Sequence, residues 1–311
     1  MAKQVTFEEF LESVRRRTML PTELWDYIEF DRHSPIPRLR FRSNVLLDQP
    51  PATFDLDNEI RQLELTINGE RREQRKSSAF RGKKLIVAEG DSWFNLPPYS
   101  PYYAIGDRIY ENGRFDIENI AYWGHTLEKV LEDKEYMTVI DKERPDFFLL
   151  SAGGNDLQIA LADKDKKYIY DHDPKRPTDE YLTPAGTQGL IQIQTQCQKL
   201  LDMVSHAFPK LPILCHGYDC PPPEKLPGNG QWLGQHLKKN HKIPDSLMVP
   251  IVASVLKKLN IVIAQVTASV KMARHLDLQG KSGPQMWKDD MHPGNPGFLK
   301  LTTIFEDNMN Q

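Results

Sequence analysis

The sequence has few cysteines and no long apolar run free of charge. Its 311 residues include three cysteines, too few for a disulfide framework. The most apolar stretch, residues 249–270, is interrupted by Lys257 and Lys258 and predicts a helix of a soluble protein rather than a membrane span. The first ten residues lack the apolar segment of a secretory signal peptide. We therefore expect a cytoplasmic protein, with export by a route that needs no cleavable signal left open.

An excess of charge of either sign is also missing. The 40 Lys and Arg residues nearly balance the 43 Asp and Glu residues, so the formal net charge is −3. Such a chain has no global field that would hold nucleic acid or an anionic membrane. We expect neither nucleic-acid binding nor stable membrane insertion. Hydrophobic residues make up 39 % of the chain, which is enough to build a core.

The first eighty residues differ from the rest, and we place a domain boundary near residue 80. Thr6 and Glu9 have the spacing of a capping box that opens a short helix. Residues 63–67 alternate apolar and polar side chains as a half-buried strand does, and Asn68-Gly69 is a tight-turn signal. The charged residues 70–76 predict a solvated turn or linker. Residues 1–80 thus form a small α+β extension of unknown role, for which docking to a protein partner is one possibility.

From residue 83 onward, short apolar runs alternate with helical patterns. The apolar runs predict five strands, at residues 85–88, 115–122, 146–151, 211–216 and 270–278. Helical patterns occupy the intervals, the clearest at residues 190–208, 250–267 and 298–308. We expect residues 81–311 to form an α/β domain with a doubly wound, parallel five-stranded sheet flanked by helices. Residues 164–184 and 221–244 are predicted as long polar loops, which often act as lids or substrate walls.

Four short blocks lie just past predicted strands or near the end of the chain. They are Gly90-Asp91-Ser92, Gly124, Gly153-Gly154-Asn155-Asp156 and Asp289-Asp290-Met291-His292. Each block alone is typical of an ordinary turn or cap. In open α/β sheets, however, ligands bind beyond the carboxyl ends of the strands. The order and position of the blocks therefore indicate one shared site.

These blocks resemble those of the SGNH hydrolases, the superfamily that contains the GDSL lipases and esterases. The resemblance covers roughly residues 83–311 and includes Trp287 and Pro293 around the last block. Trp93 stands where the superfamily usually has leucine, as in one branch that reads Asp-Ser-Trp-Phe. The resemblance implies a flavodoxin-like fold and ester hydrolysis. Because that branch is diverse in substrate, the resemblance identifies the chemistry better than the biology.

The chemistry explains why these residue types are needed. A serine hydroxyl is a poor nucleophile at neutral pH and needs an adjacent base, here Ser92 with His292. Asp289 would orient the imidazole, and Asp290 is the neighbouring alternative. Asp91 and Asp156 are interpreted as structural residues that fix turns. The resemblance also implies three donors for an oxyanion hole, which are the backbone N–H groups of Ser92 and Gly124 and the side-chain amide of Asn155.

The substrate is left open by the sequence. The aromatic residues Trp93, Phe94 and Tyr102 are candidates for an acyl pocket or a sugar-stacking platform, although aromatics after a strand are more often core. Lipid or phospholipid esters and O-acetylated carbohydrates are both compatible with the blocks. A different class of function is a non-catalytic binding or scaffold protein that has kept the fold.

Signatures of other activities are missing from the sequence. Residues 280–284 match the Gly-x-Ser-x-Gly elbow of α/β-hydrolases except at the last position, where Pro284 stands. No P-loop is present, and no glycine-rich dinucleotide motif follows the first predicted strand. His236 and His241 match no known metal-site spacing. We expect an enzyme that uses neither a metal nor an organic cofactor.

Overall fold

The computed structural model describes residues 4–31, 33–75, 82–98, 100–163, 165, 167–226 and 232–310. Its N-terminal part contains helices and a small antiparallel sheet: α1 (Phe7–Arg15), α2 (Pro21–Tyr27), β1 (Ile28–Phe30), β2 (Leu39–Phe41) and α3 (Leu56–Arg75). The capping box predicted for the first helix is confirmed. The Glu9 N–H donates to the Thr6 hydroxyl at 3.2 Å, and the Thr6 N–H donates to the Glu9 carboxylate at 2.7 Å.

Helix α3 takes the place of the strand predicted at residues 63–67, so that prediction is wrong. Over a longer window, Ile60, Glu64 and Ile67 recur at helical spacing, and Ile60 and Glu64 are buried. The alternation of apolar residues at 63, 65 and 67 is therefore a coincidence within this longer period.

The turn predicted at Asn68-Gly69 and the linker predicted from residue 70 are also wrong as far as Arg75, where α3 ends. The Asn68 side chain donates to the carbonyl of Asn119 at 3.2 Å, and Arg72 Nε donates to Glu118 at 3.2 Å. These contacts hold the helix on both sides of Gly69. A glycine inside a helix weakens it by about 1 kcal/mol. The boundary predicted near residue 80 falls within residues 76–81, outside the described residues.

The main sheet has five parallel strands, as predicted: β3 (Leu85–Glu89), β4 (Asp116–Asn119), β5 (Phe147–Leu150), β6 (Ile213–His216) and β7 (Ala273–Leu276). Their order is β4-β3-β5-β6-β7, and every neighbouring pair is parallel. The chain thus winds one way from β3 to β4 and the other way from β5 to β7. In such doubly wound sheets the crevice for a ligand opens at the carboxyl ends of the strands where the direction reverses, here β3 and β5.

Helices cover both faces of this sheet, which confirms the predicted α/β fold. They are α4 (Ile105–Asn112), α5 (Leu127–Asp133), α6 (Glu135–Glu143), α7 (Gly154–Ala162), α8 (Pro184–Ala207), α9 (Gly234–His241), α10 (Asp245–Ser269) and α11 (Asn295–Met309). Helix α9 lies inside the segment predicted as a loop at residues 221–244, so that prediction is wrong there. Helix α10 begins five residues before the predicted start and includes Pro250.

Helix α10 is long enough and apolar enough to cross a membrane, judged by length and composition alone. In the structure it contacts β6, β7 and α8. In the structure, 39 % of the most apolar window of α10 is buried. Contacts of this kind are those of a helix that covers a sheet.

The N-terminal helix α3 is joined to the loop after β3 by buried polar groups. Arg61 Nη1 donates to Glu64 at 2.9 Å, and the Asn95 side chain donates both to Glu64 and, at 2.7 Å, to the carbonyl of Ala121. Burial raises the pKa of Glu64, although the Arg61 charge opposes this shift. Because Asn95 lies three residues after Ser92, the N-terminal part of the chain is anchored beside the candidate site.

Candidate active site

Ser92, His292 and Asp289 form a continuous chain of hydrogen bonds, hereafter the triad. The Ser92 hydroxyl lies 2.8 Å from Nε2 of His292, and Nδ1 of His292 lies 3.1 and 3.2 Å from the two carboxylate oxygens of Asp289. Ser92 follows β3, whereas the other two residues lie in the loop before α11. A hydroxyl beside an imidazole that is held by a carboxylate is the arrangement that activates a serine nucleophile.

Asp289 is fixed by its own loop as well as by His292. Its carboxylate accepts hydrogen bonds from the backbone N–H groups of Met291 at 2.9 Å and His292 at 2.7 Å. Burial opposes ionisation of this carboxyl, but the partnership with His292 and the nearby charge of Lys288 outweigh it and hold its pKa well below the usual range. Asp289 is therefore a charged hydrogen-bond acceptor that sets the orientation of the imidazole.

Two aromatic rings enclose the ammonium group of Lys288. Its Nζ lies 3.8 Å from Asp289, 4.3 Å from the ring centre of Tyr102 and 4.9 Å from that of Phe30. Burial lowers the pKa of Lys288, and the carboxylate of Asp289 opposes this. Lys288 thereby connects the triad with β1 of the N-terminal part, which supplies Phe30.

The triad is covered. Ser92 is 1 % exposed and His292 is fully buried. The ring of Trp232 meets that of His292 edge to face at 6.1 Å, and the ring of Phe30 meets that of Trp232 edge to face at 5.6 Å. The sequence gave no indication that Phe30 and Trp232 cover His292. The three residues are far apart in the chain, and neither Phe30 nor Trp232 lies in a recognisable motif.

The turn that carries Ser92 is held by the residues around it. Gly90 has a φ of +137°, and a Cβ there would lie 1.9 Å from the carbonyl oxygen of Ser151, so only glycine fits. The Asp91 carboxylate accepts from the backbone N–H of Trp93 at 3.0 Å, the hydroxyl of Ser151 at 2.7 Å and the hydroxyl of Tyr218 at 2.5 Å. Asp91 therefore fixes the turn, as the sequence predicts.

Asn155 and Gly124, the predicted oxyanion donors, are connected through His125. The Asn155 amide donates one hydrogen bond to the carbonyl of His125 at 2.8 Å, which leaves its second N–H for a ligand. Within the described part of the chain, the backbone N–H groups of Ser92 and Gly124 donate no hydrogen bond. Gly124 has a φ of +80°, and a Cβ there would lie 2.8 Å from the carbonyl oxygen of Pro37 in the N-terminal part.

The predicted structural role of Asp156 agrees with its contacts. Its carboxylate accepts from the backbone N–H of Leu127 at 2.9 Å and so fixes the first turn of α5. Burial raises the pKa of Asp156 to about 6. No contact of this side chain reaches a triad residue in the described part of the chain.

A small cavity of about 50 Å³ opens beside Ser92. Asn155 lines it, together with apolar side chains of α7 and α10: Leu157, Leu161, Val252, Val255 and Leu256. Sequence patterns do not distinguish these residues from ordinary core residues, because both recur at helical spacing on a buried face.

The three aromatic residues predicted to bind substrate lie in different places. Trp93 lines the cavity and is stacked against His216. Phe94 is fully buried and packs against Phe305 and His216, so its prediction as a substrate contact is corrected to a core role. Tyr102 contacts the ammonium of Lys288 rather than the cavity. Aromatic character alone did not indicate which ring faces the nucleophile.

No protein-family model matches the sequence, and no curated protein matches it. Solved structures with a similar fold include an extracellular lipase of Streptomyces rimosus, with a TM-score of 0.48 and 16 % identity over 72 % of this chain and 99 % of that chain. An acetylxylan esterase of Geobacillus stearothermophilus gives a TM-score of 0.45 and 12 % identity over 73 % of this chain and 94 % of that one.

A protein described as a GDSL-like lipase, from Parabacteroides merdae, gives a TM-score of 0.47 and 14 % identity, over 73 % of this chain and 96 % of that one. The likeness concerns the fold, at low sequence identity.

Proposed function

We propose that the protein hydrolyses carboxylic esters through an acyl-enzyme formed on Ser92. The observation that carries this proposal is the unbroken hydrogen-bond chain from the Ser92 hydroxyl through His292 to Asp289. It lies at the carboxyl end of β3, where a doubly wound sheet opens its ligand crevice. An apolar cavity beside the hydroxyl supplies room for the acyl group.

In the first half-reaction, Ser92 Oγ bonds to the ester carbonyl carbon while its proton moves to His292 Nε2. The carbonyl electron pair moves to the oxygen, which becomes an oxyanion. The N–H groups of Ser92, Gly124 and Asn155 stabilise that charge. The bond to the alcohol oxygen then breaks, and His292 returns the proton to the departing alcohol. Water repeats the sequence on the acyl-enzyme, which releases the carboxylic acid and restores the serine.

The substitution Ser92→Ala tests this proposal directly. With p-nitrophenyl acetate as substrate, we expect kcat to fall by roughly four to six orders of magnitude, because the covalent route is lost. A circular dichroism spectrum and melting temperature equal to those of the unsubstituted protein exclude misfolding as the cause. An unchanged rate would show that another group attacks the ester.

A second measurement separates an enzyme from a binding protein that has kept the fold. A fluorophosphonate reacts with an activated serine and leaves a stable adduct, which mass spectrometry locates on a peptide. We expect labelling at Ser92 in the folded protein and no labelling after heat denaturation. Folded protein that stays unlabelled at Ser92 would favour the binding or scaffold function.

A further inference from the structure

Two helices supply five of the apolar side chains that line the cavity beside Ser92. Leu157 and Leu161 project from α7, and Val252, Val255 and Leu256 project from α10. All except Leu256 are at most 5 % exposed. Their side chains leave an apolar space that is bounded on the nucleophile's side by Ser92 and Asn155. An acyl group attached to Ser92 would extend into this space.

The size of the cavity limits what it can hold. Its volume of about 50 Å³ is roughly a third of a 150 Å³ protein cavity that binds benzene, a molecule of six carbons. By that comparison it accepts about two or three non-hydrogen atoms beyond the reacting carbonyl. Acetyl, propionyl and butyryl groups have one, two and three such atoms. A longer chain has to displace packed side chains of α7 or α10.

The side-chain nitrogen of Gln158, in this apolar wall, has no hydrogen-bond partner among the described residues. The Gln158 side chain is 3 % exposed. The Oδ1 of Asn155 also lacks a partner among the described residues, whereas Asp91 accepts from three donors and Asp290 accepts from three backbone N–H groups. Burial of an amide N–H without a hydrogen-bond partner is unfavourable, because the group has lost its bond to water. A ligand oxygen in the cavity would remove that cost.

From these observations we infer that the cavity is a pocket for a short acyl group, of two or three carbons including the carbonyl, that bears an oxygen within reach of the Gln158 amide. This inference rests on the proposed function, because it concerns the acyl group that Ser92 would carry. It selects short-chain esters over long-chain lipid esters. The apolar residues of α7 and α10 set the chain length, and Gln158 recognises the oxygen.

The chain-length part is tested with p-nitrophenyl acetate, butyrate, hexanoate and octanoate. We expect kcat/KM for acetate or butyrate to exceed that for octanoate at least tenfold, since one poorly fitting methylene changes the rate by about 10–200-fold. The substitutions Val255→Ala and Leu256→Ala each enlarge the cavity. Each should raise the ratio of hexanoate to acetate hydrolysis by about tenfold.

A matched control lies on the same helix. Val266 is as buried as Val255, at 1 % against 2 % exposure, but does not line the cavity. The substitution Val266→Ala therefore removes the same atoms from α10 and should leave the ratio of hexanoate to acetate within twofold of its original value. If the ratio of hexanoate to acetate hydrolysis is the same in Val255→Ala, Leu256→Ala and Val266→Ala, α10 does not bound the acyl group and the inference is overturned.

The Gln158 part is tested with a pair of esters of nearly equal shape. Methoxyacetyl differs from butyryl in that an ether oxygen replaces one methylene, so only the methoxyacetyl chain has a hydrogen-bond acceptor beyond the carbonyl group. The ratio of their kcat/KM values is measured in the unsubstituted protein and in Gln158→Leu. The change in this ratio is independent of the intrinsic reactivity of the two esters. We expect Gln158→Leu to lower the methoxyacetyl-to-butyryl ratio by about five- to tenfold.

Two further outcomes would overturn the inference, and both are distinguishable from failure of the proposed function. Octanoate cleaved as fast as acetate would show that the pocket does not limit the chain. A methoxyacetyl-to-butyryl ratio that is the same in Gln158→Leu would show that the amide does not meet the acyl group. Absence of hydrolysis for every ester, with no fluorophosphonate label on Ser92, would instead overturn the proposed function and the inference with it.

Discussion

The carboxylates of Asp289 and Asp290 serve different parts of the molecule although the two residues are adjacent. Asp289 lies 3.1 Å from the imidazole of His292. Asp290 accepts from the backbone N–H groups of Trp232, Leu233 and Gly234, at 2.6–3.0 Å, and so holds the start of α9. Burial, followed by the neighbouring charge of Asp289, raises the pKa of Asp290 to about 6. The sequence left open which of the two aspartates is the partner of His292. In the structure the imidazole contacts Asp289, whereas Asp290 contacts the backbone before α9.

This difference predicts that substitution of Asp289 mainly lowers the rate, whereas substitution of Asp290 mainly lowers the stability. Asp289→Asn should lower kcat/KM for p-nitrophenyl acetate by about 10⁴, because the imidazole loses the acceptor that fixes its tautomer. Asp290→Asn should lower the melting temperature while reducing kcat/KM less than tenfold, since the amide oxygen still accepts part of the N–H set. If Asp290→Asn causes the larger loss of rate, Asp290 is the partner of His292 during the reaction.

Asn155 provides a test of the oxyanion donors. Asn155→Ala removes a side-chain N–H that would stabilise the transition state, so we expect kcat to fall by about 10²–10³ with little change in KM. Asn240→Ala is a suitable control, because the Asn240 amide likewise donates to a backbone carbonyl, that of Ala162, at 2.7 Å. Equal losses in both variants would assign the effect to the fold rather than to the transition state.

Glu89, at the end of β3, predicts a specific dependence of stability on pH. The side chain is 3 % exposed and accepts from the backbone N–H of Gly90 at 2.8 Å, and burial raises its pKa from 4.5 to about 8. Between these two pH values the folded protein keeps a proton that the unfolded chain loses. The contribution of Glu89 to the free energy of unfolding therefore falls as the pH rises, by up to about 1.4 kcal/mol per pH unit.

The substitution Glu89→Gln removes this proton exchange and keeps a neutral side chain of similar shape. We expect its stability relative to the unsubstituted protein to increase steadily between pH 5 and pH 8, as measured by urea denaturation at several pH values. Other titrating groups are common to both proteins and cancel in the difference. A difference that is constant over this range would mean that Glu89 is ionised in the folded protein.

The ion pair of Arg61 and Glu64 on α3 predicts that substitutions of the two residues have coupled effects on stability. Arg61→Met leaves the Glu64 carboxylate buried without its cation and should reduce the free energy of unfolding by about 3–5 kcal/mol. In the double variant Arg61→Met/Glu64→Leu most of that loss should be recovered, because apolar residues replace both charges. Denaturation curves for the two single variants and the double variant measure this coupling. Additive losses would show that the two side chains act independently.

The sequence predicted those features that depend on local pattern. The strands β3 to β7 follow from short apolar runs bounded by turns. The sequence blocks that contain Ser92, Asp289 and His292 indicated one shared place, and the structure brings these three side chains together. Helix α3 was mistaken for a strand because its decisive contacts, from Asn68 and Arg72 to β4, join distant parts of the chain. A local window contains no information about such contacts.

The apolar helix residues that line the cavity, and the residues that cover His292, could not be predicted from the sequence, for a related reason. Val255 looks like any core residue of a helix, and only the position of α10 beside Ser92 gives it a place in the cavity wall. Phe30 and Trp232 have no motif at all, yet they meet over His292. The role of residues 1–80 in docking a protein partner stays a prediction.

The contact of Phe30 with Trp232 and Lys288 has a consequence for the order in which the chain is made. Phe30 leaves the ribosome about 260 residues before Lys288. At a synthesis rate of about 5–20 residues per second, the aromatic N-terminal segment waits tens of seconds for its partners. Throughout that interval its apolar side chains are without their final contacts. Chaperone binding to the nascent segment around Phe30 would shield it until Lys288 is synthesised.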